Sequence, residues 1–260
     1  MFIRPILAVA LGVLATVNGS RSMAAEELTV MTSGGYAHVY REVLPRFEAE
    51  THIKVTTLSG ASQGTGPKTI KHQLENGTDV DLVILSKEGL TELEKAGLIA
   101  EGSEVPLATT PLAVAVRAGA PKPDIGTLET FKQALLDAHL VAMPGSTSGL
   151  FVRDTVFPKL GISDQVSLKL VPRGLDSTGM LAAGEVNLAI GPASELVNQP
   201  GIAFVGALPQ EVQLVQVFTA AVTKASRHRD SATKLTDFLK SDPVRPAIER
   251  ARMAPTEPGR

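Results

Sequence analysis

Hydroxyl-rich turns stand at the ends of three apolar runs in this sequence. They contain Ser33-Gly34, Ser62-Gln63 and Ser146-Thr147-Ser148. A Ser or Thr at the start of a helix accepts a hydrogen bond from a free N–H group of the first turn. The same N–H groups, together with the helix dipole, favour a bound anion. We therefore expect a small anionic ligand to be held between these three turns.

Four further polar residues could contribute to such a site. Ser86 and Lys87 follow the apolar run 81–85, and Ser194 follows a later run. Open parallel sheets bind their ligands at the carboxyl ends of the strands, where these residues stand. Lys87 fits a solvated surface position equally well. Arg153 lies one turn into the helix predicted after Gly149, facing either a cleft or water, and a cation there would favour a carboxylate.

Three other kinds of site are weakly indicated or excluded. The segment 60–64 matches G-x-S-x-G, so a secreted serine hydrolase that uses Ser62, with His228 as a distant base, is an alternative of another class. Too little chain precedes this motif for the early strands of a hydrolase sheet. Pro67 stands where a phosphate loop needs Gly, which excludes nucleotide binding. The five His residues lack metal-ligand spacing, so no metal or cofactor is predicted.

The composition of the sequence indicates where the protein is located and which kinds of partner it does not bind. Residues 1–25 have a basic start, a short apolar stretch and small residues before Glu26, which predicts a cleaved signal peptide and export to the periplasm. No later apolar segment approaches the length needed to span a membrane, so we expect a soluble protein, and the absence of Cys means that its stability must come from its core. A net charge of −2 and the absence of Trp argue against nucleic-acid binding.

Apolar periodicity predicts an α/β protein made of two doubly wound lobes joined by two crossover segments. Lobe 1 is predicted to comprise residues 26–111 plus 218–260, and lobe 2 residues 112–217. The proline-rich stretch 106–111 is interpreted as a connection that leads into a strand at 112–117. The other predicted strands are 28–31, 53–58, 81–85, 140–143, 167–171, 186–190, 202–205 and 214–222. The predicted helices are 35–50, 68–75, 90–96, 128–136, 150–160, 178–183 and 231–239, followed by a last short helix that opens at 242–243.

Several segments, in this order, resemble the type II periplasmic solute-binding proteins, and in particular the molybdate-binding receptors and their divergent relatives. The segments are 28–35, 76–85, 145–149, 184–190, 194–196, 201–209 and 237–241. The resemblance implies two lobes that close on a ligand, delivery to a membrane ABC permease, and a binding protein rather than an enzyme. It also implies that Ser33 and Ser62 donate hydrogen bonds to the ligand. We expect a monomer.

The sequence departs from the molybdate-binding pattern around the expected pocket. The third strand ends in Leu85-Ser86-Lys87 where Ile-Ser-Ala is usual, the turn 145–149 is rich in hydroxyl groups, and the segment 191–194 lacks the usual Tyr. These changes enlarge or repolarise the pocket. An organic di- or tricarboxylate is therefore an alternative to molybdate or tungstate. A sensor that passes the ligand state to a partner is a further alternative to transport.

Overall fold

The computed structural model describes residues 27–256, so the predicted signal peptide lies outside the described residues. The strands are β1 (Glu27–Thr32), β2 (Lys54–Ser59), β3 (Leu82–Ser86), β4 (Val105–Arg117), β5 (Leu140–Pro144), β6 (Ser167–Val171), β7 (Leu188–Pro192), β8 (Ile202–Ala207), β9 (Val215–Val222) and β10 (Ala254–Pro255). The helices are α1 (Gly34–Thr51), α2 (Ile70–Glu75), α3 (Lys87–Lys95), α4 (Leu128–Ala138), α5 (Thr147–Phe151), α6 (Phe157–Leu160), α7 (Gly174–Ala183), α8 (Ala193–Leu196), α9 (Arg229–Lys240) and α10 (Arg245–Arg250). A π-helical turn, Val152–Val156, joins α5 to α6.

Lobe 1 is built on the strand order β2-β1-β3-β9-β4. Strand β1 pairs in parallel with β2 and β3, and β9 is antiparallel to both β3 and β4. Helix α1 buries one face against this sheet through Tyr36, Val39, Tyr40, Val43 and Phe47. These residues recur at helical spacing, which is why the sequence predicts this helix well. Burial of such side chains contributes about 1.5–3 kcal/mol each.

Lobe 2 continues the sheet in the order β4-β7-β5-β6, with β8 pairing along the same part of β4. Strand β5 is parallel to β6 and β7, as in lobe 1. Helix α4 and the segment from α5 to α6 bury Phe131, Leu135, Val152, Val156 and Phe157 against one face. Each lobe thus has its own apolar core around a central sheet, in agreement with the predicted fold class.

One strand, β4, takes part in both sheets. It pairs with β9 as far as Pro111, and with β7 from Leu112 onwards. The stretch 106–111, interpreted from the sequence as a connection into the strand at 112–117, is therefore itself part of a strand that passes from one lobe to the other. Pro106 adjoins a register shift in the β4–β9 pairing, and Pro111 stands where the pairing with β9 ends. A proline, which lacks an N–H group, is tolerated at bulges and at the ends of pairing.

The Gln213 side chain fastens the two crossover segments to each other. Its Oε1 accepts a hydrogen bond from the N–H group of Leu112 at 2.8 Å, and its Nε2 donates to the carbonyl oxygens of Leu112 and Leu208 at 3.1 Å each. The backbone N–H of Leu112 also donates to the carbonyl of Leu214 at 3.1 Å. The connection between the lobes is therefore a hydrogen-bonded pair of segments.

Several local boundaries differ from the predictions, and one helix was missed. The helix predicted from residue 150 begins at Thr147, and its middle is the π-helical turn. Helix α7 begins at Gly174 rather than 178, and α8 was not predicted at all. A helix as short as α8 has too few residues to display a period. No helix within residues 27–256 has the length and apolar character needed to cross a membrane.

Asp81 ties the start of β3 to neighbouring segments. Its carboxylate accepts hydrogen bonds from the N–H of Thr29 at 2.9 Å and from the hydroxyl of Ser226 at 2.8 Å, and it lies 3.3 Å from Nδ1 of His228. Burial alone would raise the pKa of Asp81, but these hydrogen bonds and the imidazole lower it overall. The carboxyl group is thus held in its ionised form.

We predict that Asp81→Asn destabilises the protein by about 2 kcal/mol, because charge-assisted hydrogen bonds to a buried group are lost. The pKa of Asp81 is lower in the folded state, so its stabilisation is present above the unfolded value and is lost as the pH falls through the folded value. Denaturant titrations at neutral and acidic pH should show that the variant loses less stability on acidification than the wild type. The exposed Asp79→Asn is the control, and an equal loss in all three proteins would contradict the prediction.

Candidate functional site

A cavity of about 570 Å³ lies between the two lobes, at the carboxyl ends of their parallel strands. Lobe 1 lines it with the turns that follow β1 and β2, and lobe 2 with the turns that follow β5, β6 and β7. The polar residues in its lining include Thr32, Ser33, His38, Arg41, Thr57, Ser59, Ser62, Lys68, Gln73, Ser146, Thr147, Ser148, Arg173, Ser194, Glu195, Gln199 and Gln216. This size is within the range of small-molecule sites, about 300–1,000 Å³.

Seven of the eleven residues that the sequence nominates line this cavity. They are Ser33, Gly34, Ser62, Ser146, Thr147, Ser148 and Ser194. Gln63 and Ser86 lie behind the lining, where they contact lining residues, whereas Lys87 and Arg153 point elsewhere. The three hydroxyl-rich turns therefore meet, and their role in ligand binding stays a prediction.

The hydroxyl groups of the turn after β5 bond to lobe 1. Oγ of Ser86 and Oγ1 of Thr147 are 2.8 Å apart, and Thr147 donates to Oε1 of Gln63 at 2.8 Å. Since Thr147 has one hydroxyl proton, Ser86 is the donor in the first of these bonds. The N–H of Gln63 donates to Oγ of Ser146 at 3.2 Å. We call these three bonds the interlobe hydroxyl bridge.

A second contact joins the lobes on the other side of the cavity. The hydroxyl of Ser194, at the start of α8, donates to the carbonyl oxygen of Gly35 in α1 at 2.7 Å. Ser62 has a role within lobe 1, because its Oγ accepts a hydrogen bond from the N–H of Ser86 at 3.0 Å. Several of the predicted ligand-binding hydroxyls thus also hold protein segments together.

The two cations that the sequence nominates do not line the cavity. Lys87 forms an ion pair with Glu104. Arg153 lies on the π-helical turn, where Val152 and Val156 face the core, and its Nε donates to Asp154 at 2.6 Å on the exposed surface.

Four other basic side chains line the cavity, and the sequence did not nominate them. His38 and Arg41 are on α1, Lys68 precedes α2, and Arg173 precedes α7. Arg173 donates to the carboxylate of Asp176 at 2.7 Å and remains exposed. The turn that contains Arg173 follows β6, just as the hydroxyl-rich turns follow their strands. This strand-end position could have indicated Arg173 from the sequence, although the turn has no hydroxyl group.

Three buried polar atoms at the cavity have no hydrogen-bond partner among the described residues. They are Oγ of Ser33, Oε1 of Gln216 and Oε2 of Glu195. Ser33 precedes α1 without accepting a hydrogen bond from its first turn. An unsatisfied buried polar atom costs about 1–3 kcal/mol. A polar ligand in the cavity can remove that cost, so these atoms are candidates for ligand contact.

Glu195 places a carboxyl group between helix starts from the two lobes. A Cβ atom at Gly34 would lie 2.3 Å from its Oε1, and one at Gly174 would lie 1.7 Å from its Oε2. Both positions therefore require glycine while Glu195 keeps this place. Burial raises the pKa of Glu195 from 4.5 to about 7. From the sequence, Glu195 stands out only as part of the resembling segment 194–196, because no local pattern reveals its contacts with the two glycines.

Neither hydrolysis through Ser62 nor metal binding is favoured by these contacts. The hydroxyl of Ser62 is engaged with the backbone of Ser86, while His228 lies against Asp81. Within residues 27–256, no group of three or more His, Cys, Asp or Glu side chains could hold a metal ion.

We predict that Glu195→Gln is more stable than the wild type at pH 8. A carboxyl whose pKa is higher in the folded state, here about 7 against 4.5, stabilises the fold less as the pH rises between these values. The shift corresponds to about 3 kcal/mol at most. Thermal melting at pH 8 and at pH 4 should show a raised melting temperature for the variant at the higher pH only. The exposed Glu185→Gln is the control, and a gain of equal size at both pH values would contradict the prediction.

Comparison with known proteins identifies the family. Residues 28–252 match the family described as bacterial extracellular solute-binding protein. A curated protein from a Pseudomonas species, described as aconitate isomerase, is 34% identical over 229 residues, which are 88% of this chain and 87% of that protein.

Solved structures share the fold at low identity. The sulfate-binding protein SubI from Mycobacterium tuberculosis has a TM-score of 0.68 at 20% identity, covering 90% of this chain and 88% of its own. The periplasmic molybdate-binding protein of Azotobacter vinelandii has a TM-score of 0.66 at 17% identity, covering 89% and 100%. The predicted resemblance to type II periplasmic solute-binding proteins is confirmed: this chain belongs to the family of bacterial extracellular solute-binding proteins.

Proposed function

We propose that this protein captures an organic anion with two or three carboxylate groups in the cavity between its lobes. The observation that carries the proposal is the lining of the cavity, which has basic side chains from both lobes: Arg41 and Lys68 from lobe 1, and Arg173 from lobe 2. An extended ligand with a negative charge at each end matches this distribution, because each end can meet a cation of a different lobe.

The size of the cavity favours the organic anion over molybdate, tungstate or sulfate. At about 30 Å³ per water molecule in the liquid, a cavity of about 570 Å³ has room for well over ten. A tetrahedral oxyanion has only four oxygen atoms and would leave much of this space to water. A tricarboxylate has six carboxylate oxygens and a carbon skeleton, so it can reach both lobes at once.

The polar atoms at the cavity suit carboxylate oxygens. Oγ of Ser33 is buried without a partner, and the first N–H groups of α1 follow it at the same turn. Arginine side chains at the rim can form bidentate hydrogen bonds with carboxylates. A protonated Glu195 can donate one hydrogen bond to an anionic ligand, which its ionised form cannot do.

The relative described as aconitate isomerase supports the same class of ligand. Aconitate is an unsaturated tricarboxylate, and that protein matches this chain at 34% identity along most of its length. We further propose that the protein is a periplasmic monomer, and that closure of the lobes presents the ligand to a membrane ABC permease. Passing the ligand state to a sensor partner is the alternative role for the same binding event.

Calorimetric titration with trans-aconitate, cis-aconitate, citrate, tricarballylate, molybdate, tungstate and sulfate tests the proposed ligand class. We expect saturable heat from at least one tricarboxylate, and weaker or no binding of the tetrahedral ions. Tighter binding of molybdate or tungstate than of every carboxylate would replace the proposal with an oxyanion receptor. Absence of heat from the whole panel would overturn the anion-binding proposal.

Variants that remove a positive charge test which residues of the cavity bind the ligand. Arg173→Gln and Arg41→Gln should each weaken tricarboxylate binding by roughly 10- to 100-fold, because a charge-assisted hydrogen bond contributes about 1.5–3 kcal/mol. Arg46→Gln is a matched control on the same helix, where Arg46 pairs with Glu50 at 2.7 Å away from the cavity. Arg153→Gln should also bind normally, and a loss there would restore Arg153 to the site.

A further inference from the structure

We propose that Glu195 makes the cleft catalytic by carrying a proton between two carbon atoms of a bound unsaturated polycarboxylate. This inference rests on the proposed function, because it requires such a ligand in the cavity. It adds a chemical step that a receptor does not need. The reaction class is an allylic isomerisation, in which a carbon–carbon double bond moves by one position.

The position of Glu195 carries this inference. Its side chain lines the cavity, and Oε2 is buried without a hydrogen-bond partner, although the residue as a whole is only half-buried. Gly34 and Gly174 confine the two carboxyl oxygens from opposite lobes. A carboxyl group that only served the fold would be expected to form a hydrogen bond or an ion pair, since burial without one is costly. Here the side chain instead lines the cavity, with its carboxyl oxygens against Gly34 and Gly174.

The acidity of the group is suited to proton transfer. Burial raises the pKa of Glu195 to about 7, so that both protonation states are populated near neutral pH. A general base works best when its pKa lies near the operating pH, and such catalysis contributes about 10²- to 10⁴-fold in rate. A partly desolvated carboxylate is also a stronger base than one in bulk water.

The proposed step conserves atoms and electrons. The ionised Glu195 removes a proton from the methylene carbon of the ligand, and the electron pair of the broken C–H bond forms a double bond to the middle carbon. The electrons of the old double bond shift towards the far carbon and its carboxylate. Protonated Glu195 then returns the proton to that far carbon. No oxidant, reductant or co-reactant is consumed.

The surrounding groups can stabilise the charge that develops during this step. Removal of the proton adds negative charge to the ligand skeleton and its carboxylates. Arg41, Lys68 and Arg173 in the cavity lining provide positive charge for it. Preorganised charges of this kind often account for the largest part of an enzyme's rate enhancement. Rotation about the bond that is single in the intermediate decides whether the product is the cis or the trans isomer.

The expected pH dependence of kcat/KM follows from the titratable groups around Glu195. At the cavity, the titratable groups on or next to the helices packed against α8 are His38 and Arg41 of α1 and Arg173, which precedes α7 and is paired with Asp176. Strands β7 and β8 have no titratable side chain, and the only one on β4 is Arg117, which is exposed at the end of that strand. Since the ionised form of Glu195 is the base, kcat/KM should rise with pH and level off above about 7.

The test follows trans-aconitate and cis-aconitate in D2O by proton NMR, with binding measured in parallel by calorimetry. The full chain should interconvert the two isomers and exchange the methylene protons for deuterium. Glu195→Gln should bind trans-aconitate within about 10-fold of the wild type while losing at least about 100-fold in both rates. Glu195→Asp should retain part of the activity and the rise with pH. Glu185→Gln is the matched control and should behave as the wild type.

The outcomes separate the two proposals. Binding without interconversion or exchange would overturn the catalytic inference and leave the receptor function standing. Absence of binding to every carboxylate would overturn both. Interconversion by Glu195→Gln at the wild-type rate would remove Glu195 from the reaction. Loss of exchange in His38→Gln alone would assign the base to the neighbouring imidazole instead.

Discussion

The shared strand β4 is the constraint on which the rest of the structure depends. It is part of both sheets, and β9 returns beside it, so the parallel strands of each lobe end towards the same gap. Gln213 fastens the two crossover segments at the point where the pairing partner of β4 changes. Rotation of one lobe against the other therefore bends a paired connection, and the cavity is the place where this motion has most effect.

The environment of Glu195 is made by both lobes. Gly34 belongs to the start of α1, and Gly174 to the start of α7. Separation of the lobes, as the proposed closure requires, would expose the carboxyl group to more water, and its pKa would fall towards the ordinary range of a glutamic acid. The protonation state of the cleft is thereby coupled to its opening. If the ligand is a polycarboxylate, as proposed, such coupling links its capture to a change of charge at the centre of the site.

Much of the fold could be predicted from the sequence because its cause is local. The apolar spacing in α1 and the strand-end positions of Ser33, Ser62 and Ser146 follow from short-range pattern alone. Strand β4 was predicted only in part, because the effect of its prolines depends on where pairing with β9 shifts or ends.

The candidate site was less accessible to sequence reasoning because it depends on distant segments. Glu195 acquires its character from residues about 20 and 160 positions away, at Gly174 and Gly34, and no local pattern records these contacts. Arg153 carries the positive charge that the sequence reasoning required, but it lies on the solvent-facing side of the π-helical turn, because Val152 and Val156 of that turn face the core. Whether the lining hydroxyls bind ligand is still a prediction.

The interlobe hydroxyl bridge consists of neutral groups from Gln63, Ser86, Ser146 and Thr147. Neutral hydrogen bonds are barely screened by dissolved ions, and these groups do not titrate near neutral pH. Attraction of a charged ligand into the cleft, in contrast, weakens as ionic strength rises. For the proposed anionic ligand, salt in the medium thus tunes the rate of arrival, while the tendency of the lobes to stay together is left nearly unchanged.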